Sequence, residues 1–143
     1  MISIVSCPHT GTKFTERLIA SLGFDVRCAH FHSDHPGQDP HVWRSEDCKI
    51  VVPWRDPELS RISSLNRGQE PRPMAEFQAL KLWADDPNVC FFDVDARTRE
   101  ERTAETRRLC SFLGVAIPKS VDWTPVNTSE DVTGLKAEYL CSN

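Results

Sequence analysis

No apolar run in these 143 residues approaches the roughly 20 needed to cross a bilayer, so no membrane span is expected. Positive charge is not in excess either. Seventeen Lys and Arg against 21 Asp and Glu leave a formal charge of −4. That excludes broad electrostatic binding to nucleic acid but leaves room for a local basic pocket. No C-x-x-C pair occurs: Cys7, Cys28, Cys48, Cys90, Cys110 and Cys141 are scattered, which removes the usual zinc and dithiol patterns. Met1 to Ser6 has no basic leader and is too short for a signal peptide. The cysteines are therefore read as reduced thiols, with Cys90 and Cys110 as buried small hydrophobes, and the protein is expected in the cytoplasm. Internal repeats, low-complexity tracts and linkers are also missing, so residues 1–143 read as one domain with its own core.

What is present alternates between two periodicities. Ile2 to Val5 is a β-rich run that ends in a turn bearing Pro and Gly. Lys13 to Leu22 places Phe14, Leu18, Ile19 and Leu22 on one helix face, with Gly23 as its stop. Asp25 to His32 alternates as a strand, with Val26, Cys28, His30 and His32 on one side. Ser33 to Asp47, punctuated by Pro36, Gly37 and Pro40, reads as a loop.

Lys49 to Trp54 is another buried strand, and Pro53 inside it suggests an early end or an edge position. Glu58 to Leu65 forms a helix opened by Pro57. Pro73 to Asp85 is an amphipathic helix with Met74, Phe77, Leu80 and Leu82 at apolar positions. Val89 to Val94 is a strand, and Thr98 to Leu113 a charged helix stopped by Gly114. The rest is punctuated by Pro and only weakly periodic. Strands alternating with helices predict an α/β fold with a mainly parallel central sheet covered on both faces. Ligands of such sheets bind beyond the carboxyl ends of the strands, where the first turn, His30, His32 and Arg55 all fall.

The first turn, Pro8-His9-Thr10-Gly11-Thr12-Lys13, joins a strand to a helix and so points backbone N–H groups at one spot, where an anion is favoured. Thr10, Thr12 and Thr15 add hydroxyls and Lys13 a charge. The Gly-x4-Gly-Lys-Ser/Thr loop is not met, because Ser6 holds its first glycine position and Thr12 its lysine position. A tight turn with threonine caps would need the same residues.

Pro8-His9-Thr10-Gly11-Thr12-Lys13-Phe14 resembles the loop of sulfotransferases that use 3′-phosphoadenosine 5′-phosphosulfate: proline, a basic residue, Ser-Gly-Thr, a hydroxyl residue, then Trp or Phe. Val52-Pro53-Trp54-Arg55-Asp56-Pro57, with Ser63 eight residues after the arginine, resembles that family's second motif. Phe112-Leu113-Gly114 and Val126-Asn127-Thr128-Ser129 resemble two shorter ones. The resemblance implies a three-layer P-loop NTPase-like fold. It implies that Pro8, Thr10, Gly11, Thr12, Lys13 and Phe14 hold the 5′ side of the cofactor, Phe14 against the adenine, and that Arg55 and Ser63 hold its 3′-phosphate. His30 or His32 then stands where the family often has its catalytic base. The chain departs from the family at His9, in place of the basic residue, and at Lys13, in place of a hydroxyl. Lys13 and His9 are accordingly the candidates for contacting the transferred group. The chain has no Arg-Lys-Gly motif, with only Arg67-Gly68 and Lys136 nearby in kind, and it is shorter than typical members.

Cys28, His30 and His32, followed by Asp34, His35, His41 and Cys48, make a segment rich in metal-ligand types without a zinc spacing, and no metal is assigned. Asp93, at the end of an apolar strand, suits either Mg²⁺ handling or capping of the next turn. Arg97, Arg99, Arg102, Arg107 and Arg108 interleave with Glu100, Glu101 and Glu105, as expected of an ion-paired solvent face, although an arginine lid over phosphates has the same composition. The leading expectation is sulfuryl transfer from the nucleotide to a small hydroxyl or amine acceptor. Two alternatives are a Mg-ATP kinase using Lys13 and Asp93, and a nucleotide-binding module without turnover.

Overall fold

A computed structural model describes residues 1–7, 10–32 and 39–123. The N-terminal run forms strand β1 (Ile2–Ser6), every residue of which is buried. Helix α1 (Thr12–Ser21) follows, then β2 (Val26–His30) and α2 (Pro40–Ser45). Strand β3 (Ile50–Trp54) leads into α3 (Pro57–Asn66) and α4 (Met74–Lys81), which continues as a 3₁₀ turn over Leu82–Asp85. Strand β4 (Val89–Asp93) and the long α5 (Arg99–Leu113) complete the regular structure.

The four strands form one sheet in the order β2-β1-β3-β4, and every pairing is parallel. The fold is therefore α/β with an all-parallel sheet flanked by helices. Parallel strands buried on both faces read as continuous apolar runs, as Ile50, Val51 and Val52 do at 0–1% exposure. Alternate residues serve opposite layers. Ile2, Ile4, Val51, Cys90 and Phe92 pack with Phe14, Leu18 and Ile19 of α1 and Leu109 and Leu113 of α5. Val5, Ala29, Ile50, Val52 and Val89 pack on the other face with Trp43 of α2, Phe77 and Leu80 of α4, and Trp83.

Local chemistry explains most boundaries. Asp56 caps α3, its carboxylate accepting from the Glu58 N–H at 2.9 Å, with Pro57 at the first helical position. Thr98 and Glu101 form a reciprocal capping box on α5, which ends at Gly114 with φ 75°. Cys90 and Cys110 are both buried. Among the described residues no helix is long and apolar enough to cross a membrane.

Four expectations need correction. β2 ends at His30, because His32 adopts φ 57° and turns the chain, so Cys28, His30 and His32 do not share a strand face. The segment 33–47 is not all loop. Pro40 opens α2 instead of breaking it, and Asp39 caps the helix by accepting from the His41 N–H at 2.9 Å. Met74 and Leu82 are exposed, and Trp83 is buried in their stead.

The fourth correction concerns Pro53, which lies in a central strand and not at an edge. Alternation along β3 points its missing N–H toward β1, since Ile50 donates the opposite way to Asn88. The β1–β3 register is Ser3↔Ile50 and Ile4↔Val51, so that pairing has ended before Pro53. The two strands remain side by side, and the proline leaves the β1–β3 ladder one bond short there.

Gly11 opens α1 with φ 81°, and a Cβ there would lie 3.0 Å from both methyls of Val94, just past β4. Gly11→Ala should therefore destabilise the protein by about 2 kcal/mol, combining left-handed backbone cost with crowding. Urea denaturation measures this. Adding Val94→Ala should recover only the crowding component.

Candidate functional site

The strand order reverses between β1 and β3, one connection leaving toward β2 and the other toward β4. In doubly wound sheets this switch point opens a crevice at the carboxyl ends of the strands. The structure brings three sequence-predicted features to that end: the start of α1, Arg55 after β3, and His30 at the end of β2. Pro8 and His9 lie outside the described residues, as do residues 33–38 and 124–143, with Asp34, His35, the Val126–Ser129 stretch and Lys136.

α1 begins on Gly11, which supplies no side-chain cap, and the first turn carries no acidic residue. Intrahelical bonding starts with Thr15, whose N–H donates to the Gly11 carbonyl at 3.0 Å. The backbone N–H groups of Thr12, Lys13 and Phe14 precede it and have no partner earlier in the helix.

The threonines divide into two kinds. Thr10 is 1% exposed and its hydroxyl donates to the Cys7 carbonyl at 2.6 Å, so it braces the turn. Thr15 donates back to the Gly11 carbonyl at 3.0 Å. Only Thr12 is tied to the histidine side of the rim: its Oγ1 lies 2.8 Å from Ser6 Oγ, which in turn lies 3.4 Å from His30 Nδ1. Ser6 and His30 are register partners across β1 and β2, which aligns their side chains on the α1 face of the sheet.

The remaining candidates are placed as follows. Lys13 is exposed, with Nζ 3.7 Å from a Glu16 carboxylate oxygen along the helix surface. Phe14 is 6% exposed and packs against Phe92 and Trp123, so its ring belongs to the core and not to the rim. Ser63 is 2% exposed on the inner side of α3. His32 stacks edge-on with Phe31 and lies near His41, on the α2 side of the sheet. The two histidines thus part company. His30 joins the first turn, and His32 joins an aromatic cluster with Trp83.

Arg55 pairs with Asp95, its Nε 3.4 Å from Oδ1, both side chains being 14% exposed. Its sequence neighbour Asp56 is occupied in capping α3. Asp93 accepts from the Asp95 N–H at 2.9 Å, which is the turn-capping role. Burial, together with Asp95, Glu105 and Glu101, pushes the Asp93 carboxyl above the ordinary aspartate range, although the Asp95 N–H bond opposes this. Among the described residues no three His, Cys, Asp or Glu side chains gather as a metal site.

Sequence reasoning missed a groove of about 640 Å³ between α5 and residues 117–123, lined by Arg99, Arg102, Thr106, Lys119 and Trp123 among others. Arg102 donates to the Ala96 carbonyl at 3.0 Å, with its guanidinium 5.5 Å from the Trp123 ring centroid. Two members of the arginine set therefore line a cavity. Arg108 pairs instead with Glu105 at 2.8 Å and donates to the Phe91 carbonyl. The available signal was Trp123 itself, a large aromatic in a weakly periodic stretch.

Cys7, next to the turn, is no nucleophile. Burial, with help from Glu76 and against Arg72, pushes its thiol up to about 12. An unfolded thiol titrates near 8.5, so the folded state holds its proton to higher pH than the unfolded state does. Stability from Cys7 is complete below that lower value and is lost as pH rises from there toward 12. The wild type should lose stability across that window more steeply than Cys7→Ala, by up to about 1.4 kcal/mol per pH unit, in urea titrations at stepped pH.

Comparison of the chain with protein-family models, curated proteins and solved structures gives no match.

Proposed function

We propose that the protein binds a 3′-phosphoadenylyl nucleotide and transfers a sulfuryl group to a small hydroxyl or amine acceptor, on a P-loop-type α/β domain. One observation carries the proposal. α1 opens at the β1–β3 switch point on a glycine that must lack a Cβ, with no acidic residue in its first turn. That is a cradle for the anionic 5′ side of such a cofactor.

The fit is good at the first turn and different from the family pattern elsewhere. Backbone N–H groups of Thr12, Lys13 and Phe14, with the Thr12 hydroxyl, hold the anion. Arg55 supplies a guanidinium fork for the 3′-phosphate, in competition with Asp95. With Phe14 in the core, the base lies on the groove side, where Trp123 offers a ring and Arg99, Arg102 and Lys119 offer cations. The groove volume is within the range of small-ligand sites. This reading assigns the nucleotide to the β3 and β4 side and leaves the β2 side to the acceptor and His30.

When bound, the cofactor supplies an activated sulfuryl group. The chain's own residues position the two partners, counter charge on the anionic oxygens and take a proton from the acceptor at His30.

Calorimetric titration with adenosine 3′,5′-bisphosphate, beside ADP and ATP with and without Mg²⁺, tests the reading. Metal-independent preference for the bisphosphate is expected. Arg55→Ala should weaken it by at least about tenfold, the worth of one charge-assisted contact, with the fold intact by circular dichroism. Preference for Mg-ATP would replace sulfuryl transfer with phosphoryl transfer. Unchanged affinity in a folded Arg55→Ala would remove Arg55 from the site.

A further inference from the structure

The hydroxyls of Thr12 and Ser6 form a chain that ends on a histidine ring nitrogen, with spacings of 2.8 Å and 3.4 Å. Ser6 is fully buried, so bulk solvent does not reach its hydroxyl. Each hydroxyl carries one hydrogen, so the chain has two polarities. In one, Thr12 donates to Ser6 and Ser6 donates to a His30 Nδ1 that bears a lone pair. In the other, His30 Nδ1–H donates to Ser6, Ser6 donates to Thr12, and the Thr12 hydrogen points outward. Hydrogen bonds in a chain polarise one another, so the two arrangements exchange as a unit.

We infer that an anion seated at the start of α1 fixes the tautomer of His30 through Thr12 and Ser6. This rests on the proposed reading that the first turn holds an anion. Thr12 is the first residue of α1, beside the N–H groups that face such a ligand. Phosphate or sulfate oxygens accept and do not donate when fully ionised, so Thr12 must turn its hydrogen toward the anion. Ser6 then donates to Thr12, and His30 must donate from Nδ1. The ring gives up its Nε2 proton to solvent and takes one from solvent at Nδ1, with no net change in charge. Nε2 becomes the basic nitrogen.

The consequence is ordered chemistry. His30 presents its basic Nε2 only when the anion site is filled, so the acceptor is deprotonated only with its donor in place. Ser6 and Thr12 act here as positioning residues, since they work through His30. The register pair Ser6↔His30 gives the chain its rigidity, because both residues belong to sheet strands and not to loops.

The experiment uses the whole chain labelled with ¹⁵N at histidine. Long-range ¹H–¹⁵N correlation reads the tautomer at a pH where the ring is neutral, and His30→Asn assigns the resonances. Inorganic sulfate and adenosine 3′,5′-bisphosphate, both fully ionised at that pH, are added in turn, and binding in the same samples is followed by calorimetry. Saturation should make the Nδ1–H form of His30 the major one and leave His41 unchanged. Thr12→Val should keep binding, weakened by roughly tenfold, and abolish the tautomer shift. Ser6→Ala should also abolish the shift, and Ser6→Thr should restore it. Binding with an unmoved tautomer, or a shift that survives in Thr12→Val, overturns the coupling alone. Absence of binding by either ligand overturns the anion site and the coupling together.

Discussion

The proline in the central strand β3 decides where the sheet's ladder stops on the functional side. The β1–β3 register runs through Ser3↔Ile50 and Ile4↔Val51 and no further. Pro53 faces β1 without an N–H, so the two strands lie side by side beyond Val51 with no ladder bond at that position. β3 meanwhile stays in register with β4 as far as Trp54↔Asp93. Toward the carboxyl ends the β3–β4 ladder therefore outlasts the β1–β3 ladder. Gly11, at the start of α1, lies against Val94 from beyond β4.

Electrostatics at this end of the sheet are uneven. The start of α1 contributes a partial positive charge with no carboxylate in its first turn. The end of β4 contributes the opposite sign through Asp93 and Asp95, with Glu105 accepting from the Asp93 N–H at 2.9 Å. Arg55 sits between the two and is held by Asp95. A pair this sheltered is costly to split unless the incoming ligand replaces the lost charge. An anion does so for Arg55 but leaves Asp95 to be satisfied by other means. On the proposed reading, the rim would favour a ligand with a well-placed second negative group over a diffuse anionic surface, in keeping with an overall charge that is already negative.

Much of the fold was legible because each strand is short, apolar and bounded by turn residues. The capping signals at Thr98, Pro57 and Gly114 are local and did not depend on tertiary context. The misreadings came where one residue type has two uses. Pro40 reads as a breaker until Asp39 is seen to cap behind it. Pro53 reads as an edge marker until the β1–β3 ladder is seen to end before it. Of the candidate site, the place of the first turn and Arg55 at the carboxyl ends of the strands could be read from type and spacing. What could not be read is how hydroxyls are spent. Thr10, Thr12 and Thr15 look equivalent in sequence, yet only Thr12 reaches across to Ser6. Likewise Phe14 lies at a helix start, where exposure and burial differ by a rotation that spacing alone does not fix. Its burial is set by Phe92 and Trp123, residues distant in sequence.

The divergence of His30 and His32 shows how one backbone dihedral sorts chemistry. In a continued strand, residues two apart share a face, and both rings would then border α1. The φ of 57° at His32 ends that alternation one residue after Phe31. Phe31 is 2% exposed, and its burial among Trp43 and Trp83 anchors the chain on the α2 side. With Phe31 fixed there and His30 tied to Ser6, the chain must turn at His32, and the left-handed conformation is the form that turn takes. A left-handed residue without glycine costs about 1 kcal/mol, and the aromatic contacts of His32 with Phe31 and His41 offset part of it. The same turn that removes His32 from the first-turn side leaves His30 as the only histidine among the described residues that is bonded to it.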